Sequence, residues 1–216
     1  MRKWIVLMSV FLWVIVAGPA QALEISMTNN SPQYWGWMTV AYSGLNEGNE
    51  TRVGAGRFYT TVYDGEKEID TFSYCVELDD SFGWGTSYEA VVGAFTEPLH
   101  RAAWLVSQYD PLTGDKKSLL DGDAKTIAMT LQLAIWQTLY GLDFRPVAGG
   151  DIALLGTMLT AASEISINSF DPSGFFVAEI SGQDQLVAAP VPEPATMLLM
   201  GIGLLGLGVV GRKRLK

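Results

Sequence analysis

Between two terminal apolar segments, the hydrophobic pattern changes period once along the chain. From Glu24 the polar and apolar positions alternate by two, over Glu24 to Thr28, Tyr34 to Tyr42 and Arg57 to Tyr63, with aromatic and β-branched residues throughout; this predicts strands. Asp64-Gly65-Glu66-Lys67 reads as a turn, so Arg57 to Tyr63 and Ile69 to Leu78 form a hairpin, and Ser87 to Val92 adds a short strand. On the strand from Ile69, a period of two puts Ile69, Thr71, Ser73, Cys75 and Glu77 on one face and Asp70, Phe72, Tyr74, Val76 and Leu78 on the other. If the second face packs the core, Cys75 is free to meet another element.

From Glu97 the period becomes helical. Pro98 suits a first turn, Ala102, Leu105, Val106 and Tyr109 form a stripe, and Asp110-Pro111 ends it. After the polar loop Asp110 to Asp123, with Asp121 or Asp123 as cap, a second helix covers Thr126 to Gly141. Ile127, Leu131, Ala134, Ile135 and Thr138 make one stripe there, and Met129, Gln132, Trp136 and Tyr140 another, wetter and aromatic. Asp143 to Gly150 reads as loop, Ile152 to Ile165 as a third helix, Gly174 to Ile180 and Gln185 to Ala188 as closing strands, and Ser181 to Val191 as a linker. The expected fold class is α+β: a β-sandwich or barrel-like portion with an inserted helical subdomain of about three helices.

The two apolar ends stand outside that fold. Arg2 and Lys3 precede an apolar run to Gly18, and Ala20-Gln21-Ala22 has the small residues a signal peptidase needs, so residues 1–22 read as a secretory signal and 23–189 as the mature domain. Residues 190–216 comprise Pro192-Glu193-Pro194, the apolar stretch Ala195 to Gly211 and the basic tail Arg212-Lys213-Arg214-Leu215-Lys216. At about 1.5 Å per residue that stretch, as a helix, just crosses a thin hydrocarbon layer, and the tail orients it positive-inside. Gly201-Ile202-Gly203-Leu204-Leu205-Gly206 matches a dinucleotide-binding spacing, but too few residues follow for the βαβ unit it requires. The whole segment resembles a PEP-CTERM sorting signal. The resemblance implies an exosortase-type processing protease as partner and a Gram-negative source. It also implies a transient inner-membrane anchor through the C-terminal helix, then delivery to the cell surface or extracellular matrix.

Without its ends the chain becomes more acidic. Residues 23–190 hold eight basic against twenty-two acidic side chains, a net of −14 where the whole sequence has −9. Nucleic acid and anionic lipid surfaces are therefore not expected partners. No metal or cofactor is expected: Asp79, Asp80, Asp121 and Asp123 lack EF-hand spacing and read as solvated loop acids. Trp35, Trp37 and Trp84 read either as ordinary packing or as a sugar-stacking platform.

The chain has one cysteine, so no internal disulfide forms, and the residues before Cys75 make no lipobox. A buried inert thiol, an intermolecular disulfide, a nucleophile and an acylated cysteine remain open. A Cys-His hydrolase would need His100, the one histidine, beside Cys75. Tyr74-Cys75-Val76 and Leu131-Gln132-Leu133-Ala134-Ile135-Trp136 together resemble the thioester domains of bacterial surface adhesins, in which an aromatic-Cys-apolar stretch and a Φ-Q-x-A-Φ-W stretch carry the two halves of an internal thioester. That resemblance implies a reactive Cys75–Gln132 pair, with Tyr74 and Trp136 screening it from water; His100 reads either as a base assisting acyl transfer or as a satisfied helix histidine. It implies covalent capture of an amine- or hydroxyl-bearing surface protein or polysaccharide, in adhesion or biofilm matrix. Each molecule reacts once, so no turnover enzyme is expected. The alternative is a non-covalent structural or carbohydrate-binding protein associated with exopolysaccharide, its cysteine incidental.

Overall fold

The computed structural model describes residues 24–189; the two terminal segments read as signal and sorting helix lie outside the described residues. Among the described residues seven strands and three α-helices follow the change of period. They run β1 (Glu24–Tyr42), β2 (Thr51–Asp64), β3 (Lys67–Cys75), β4 (Ser87–Gly93), α1 (Glu97–Tyr109), α2 (Ala124–Tyr140), β5 (Phe144–Ala148), α3 (Ile152–Glu164), β6 (Phe175–Ile180) and β7 (Gln185–Ala188). All strand pairings are antiparallel, in the order β2-β3-β7-β6-β4-β1-β5, and β1 also pairs β2. That extra pairing closes six strands into a barrel, with β5 appended to the far half of β1. Closure removes most of the exposed edges that an open sheet would present.

Three differences from the expected elements have physical causes. The strands expected at Glu24 to Thr28 and Tyr34 to Tyr42 are one, β1, because register shifts between Asn29 and Ser31 and between Pro32 and Tyr34 absorb the polar interruption. The loop expected from Asp143 contains β5, whose Arg145-Pro146 sits on an edge, where a proline costs no ladder bond. The strand expected to reach Leu78 stops at Cys75, because its pairing with β2 has already ended at Ser73 and its pairing with β7 ends at Gln185, where β7 begins.

The barrel has two apolar sides. Ile25, Met27, Val62, Ala90, Ala178 and Val187 fill its interior. A larger core lies between its outer wall and the helices, with Phe72 and Tyr74 of β3 against Leu105, Leu131, Ile135 and Met158. Helix α2 is the axis of that core: every residue from Ile127 to Trp136 is buried, so the wetter stripe expected around Gln132 is not wet. Asp123 is its N-cap, accepting from the Thr126 N–H at 3.0 Å and the Thr126 hydroxyl at 2.8 Å.

A buried ion pair ties the two halves together. Asp110, wholly buried just past α1, accepts from Arg57 Nε of β2 at 2.8 Å and from the Tyr74 hydroxyl of β3 at 2.9 Å. Its second oxygen accepts from the Leu112 and Thr113 N–H groups at 3.0 and 2.8 Å. Every lone pair of this carboxylate is thus engaged, which a buried charge requires.

Candidate functional site

Ser73 and Cys75 point into the barrel while Phe72 and Tyr74 point to the helices, so the expected division of faces is present. The face carrying Cys75 is itself buried, at one end of the barrel, and the helix reaches Cys75 from the strand's edge instead. Beyond Phe58↔Ser73 the strands β2 and β3 part; the next pair on that side would be Gly56 with Cys75. Gly56 holds φ +143°, and a Cβ there would meet the Tyr34 carbonyl oxygen at 2.1 Å, so only glycine permits this bend. The edge of β3 at Cys75 is left without a strand partner.

Gln132 of α2 fills that gap. The Cys75 N–H donates to Gln132 Oε1 at 3.0 Å, and Gln132 Nε2 donates to the Cys75 carbonyl at 2.7 Å. The carboxamide thus acts as a substitute strand residue, and residues fifty-seven positions apart are joined by two hydrogen bonds. Both side chains are sealed, Cys75 1% and Gln132 0% exposed.

The thiol has partners that the sequence pattern did not single out. Its S–H donates to Gln183 Oε1 at 2.8 Å, and Gln185 Nε2 donates to the sulfur at 3.4 Å. Gln183 Nε2 in turn donates to the Glu77 carbonyl, which fixes that side chain. Gln185 continues a buried polar row across the barrel: Ser73 donates to Gln185 Oε1 at 3.0 Å, Ser73 and Thr60 lie 2.8 Å apart, and Thr60 donates to Asn29 Oδ1 at 2.9 Å. The available signal was the polar Gln183-x-Gln185 leading into a strand that pairs with Cys75. Burial pushes the Cys75 thiol up to about 12, offset only in part by the Gln185 hydrogen bond, so it is protonated at neutral pH.

The other expected participants divide. Trp136 is wholly buried, rests against Phe144 with ring centroids 6.0 Å apart, and has an indole N–H with no acceptor among the described residues. It lines the inner end of a cleft of about 440 Å³ together with Gln183, Leu78 and Phe58. Tyr74 faces the helices and bonds Asp110, so it anchors β3 rather than covering the sulfur. His100 bonds neither Cys75 nor Gln132; its ring stands edge-on to Phe95 at 5.4 Å. Pro192, Glu193 and Pro194 lie outside the described residues. No cluster of metal-ligating side chains occurs among the described residues.

Residues 190–214 match the PEP-CTERM protein-sorting motif. That motif implies processing by an exosortase, and export to the surface of a Gram-negative bacterium. No helix among the described residues is long and apolar enough to cross a membrane. No curated protein matches the chain. Among solved structures, the N-terminal domain of the Streptococcus pyogenes pilus tip adhesin Cpa is similar, with 16% identity, 76% of this chain and 98% of that chain covered, and a TM-score of 0.41.

Proposed function

We propose that Cys75 and Gln132 form an internal thioester and that the exported protein uses it once, to attach itself covalently to a partner at the cell surface or in the extracellular matrix. The observation that carries this reading is the docking of the Gln132 carboxamide on both backbone polar groups of Cys75, in a site closed to water. The motif resemblance and the sorting signal support it; the geometry supplies a mechanism.

The Cys75 sulfur adds to the Gln132 carbonyl carbon, and the developing oxyanion is Oε1. That atom already accepts the Cys75 N–H, a fixed donor in a dry site where such a bond is worth most. The Gln132 nitrogen leaves as ammonia, carrying the thiol proton, and a neutral thioester replaces two neutral groups. A neutral product suits this site, because burial disfavours a thiolate there. Capture reverses the logic. A partner's amine or hydroxyl adds to the same carbon, the carbon–sulfur bond breaks, and the partner's proton goes to sulfur, leaving an amide or ester on residue 132 and a free Cys75 thiol. Gln183 and Gln185 are positioned to receive that thiol.

Intact mass of the exported protein tests the bond. The expected result is a deficit of one ammonia that is absent from Cys75→Ala and Gln132→Ala. An unmodified mass with a thiol that titrates on unfolding overturns the proposal.

A further inference from the structure

The cleft that ends at Trp136 and Gln183 has a mouth of its own character. Trp35 stands edge-on to Trp37 and Trp84, with ring centroids 5.0 and 6.5 Å away. Trp37 is 52% exposed and Trp84 44%, an apolar surface that the fold leaves in water. The polar groups lining the cleft with them are mixed in sign: Asp79 and Asp80, and Arg52, whose guanidinium lies 4.9 Å from the Trp37 ring centroid. At the inner end sits the buried indole N–H of Trp136, which has no partner among the described residues. The volume of about 440 Å³ is in the range of small-ligand sites.

We propose that this cleft binds a neutral saccharide chain. A sugar ring has an apolar C–H face that stacks on indole and a rim of hydroxyls that both donate and accept. The cleft offers indole faces, carboxylates to accept, and a guanidinium, a carboxamide and an indole N–H to donate. A polyanion would meet the like charges of Asp79 and Asp80, and a lysine ammonium the like charge of Arg52. A neutral ligand meets neither obstacle.

The cleft also ends where Gln183 contacts the Cys75 sulfur. Resting on the thioester reading, the nucleophile delivered is therefore a sugar hydroxyl. Its oxygen bonds to the Gln132 carbonyl carbon, the carbon–sulfur bond breaks, the hydroxyl proton passes to Cys75, and the product is an ester.

The experiment uses the exported protein carrying Cys75→Ala, which removes covalent chemistry. It is titrated with cello-, laminari-, malto-, manno- and chito-tetraose and with Nα-acetyl-lysine methylamide, followed by calorimetry and tryptophan fluorescence. Saturable binding of at least one tetraose is expected, weakened about tenfold or more by Trp37→Ala and by Trp84→Ala, and unchanged by Leu142→Ala, at an exposed leucine outside the cleft lining. Asp79→Asn, a rim change that leaves the aromatic packing intact, is expected to weaken it as well. Binding of no tetraose, binding indifferent to all three cleft changes, or binding of the lysine amide alone overturns the proposal. Wild-type protein is then incubated with the bound tetraose and its mass read. A hydroxylamine-labile ester adduct supports both readings; binding without an adduct supports the cleft and counts against the thioester.

Discussion

Opening the Cys75–Gln132 bond with methylamine is the cleanest perturbation of the proposed crosslink. The product keeps every side chain, and the methylamide at position 132 keeps one N–H for the Cys75 carbonyl and the oxygen for the Cys75 N–H, as in the unbonded carboxamide. One covalent bond is all that changes. It closes a loop spanning fifty-seven positions, and the loss of loop-closure entropy from the unfolded chain corresponds to about 4 kcal/mol at 25 °C. In a domain of this size about 2–4 °C of melting temperature follows each kcal/mol, so the opened protein should melt about 8–16 °C lower. The assay is calorimetric unfolding of treated and untreated protein, with mass spectrometry confirming one methylamine per chain and iodoacetamide labelling confirming one released thiol. Complete adduct formation with superimposable unfolding curves would refute the crosslink reasoning, and absence of an adduct at mildly alkaline pH would refute a reactive bond.

In the amine-opened protein, Cys75 labelling should stay slow near neutral pH and accelerate about tenfold per unit toward pH 12 in the folded state, as stopped-flow alkylation at a series of pH values would show. Because the folded thiol holds its proton to about 12 while the unfolded thiol releases it from about 9, the fold is favoured below pH 9 and loses about 1.4 kcal/mol per unit between those values; urea unfolding across that window reads the slope. Asp110→Asn leaves Arg57 buried without its carboxylate and should cost about 3–5 kcal/mol in urea unfolding, whereas Tyr74→Phe removes one hydrogen bond and should cost about 1 kcal/mol. Asp123→Ala removes the cap of α2 and should cost about 1 kcal/mol by the same measure, without changing the mass deficit.

The elements were legible where period and punctuation agreed. Gln185 to Ala188 is a strand with the bounds read from its pattern, and α3 begins at Ile152 after Asp151, whose side chain caps it. The end of β3 was not legible, because it is set by Gly56 on another strand and by the start of β7 at Gln185, over a hundred residues away. The surroundings of Gln132 were misread for a related reason. A lone glutamine between apolar residues on a helix looks like a wetter stripe, yet its polar atoms are satisfied by a strand edge that no local pattern announces. The same holds for Gln183 and Gln185, which local sequence presents as linker and strand start and the barrel presents as partners of a thiol.

The position of the pair follows from a conflict that the fold resolves. A closed barrel leaves no backbone group free, and a reactive carbonyl needs a backbone donor with nothing else to serve. Gly56 creates such a donor by bending β2 away from β3 one pair early, at the end of the barrel where Cys75 sits. The unpaired N–H and C=O of Cys75 would be costly if buried alone, at about 1–3 kcal/mol each, and this cost is what orients the Gln132 carboxamide. Buried on all sides, α2 cannot rotate to offer another residue, and the Arg57–Asp110–Tyr74 network holds β2 and β3 against the end of α1. The tryptophan-lined cleft reaches Gln183, whose Oε1 accepts from the Cys75 thiol. On the proposed thioester reading, the polar satisfaction that any folded protein must achieve also holds the carboxamide at Cys75 for acyl transfer.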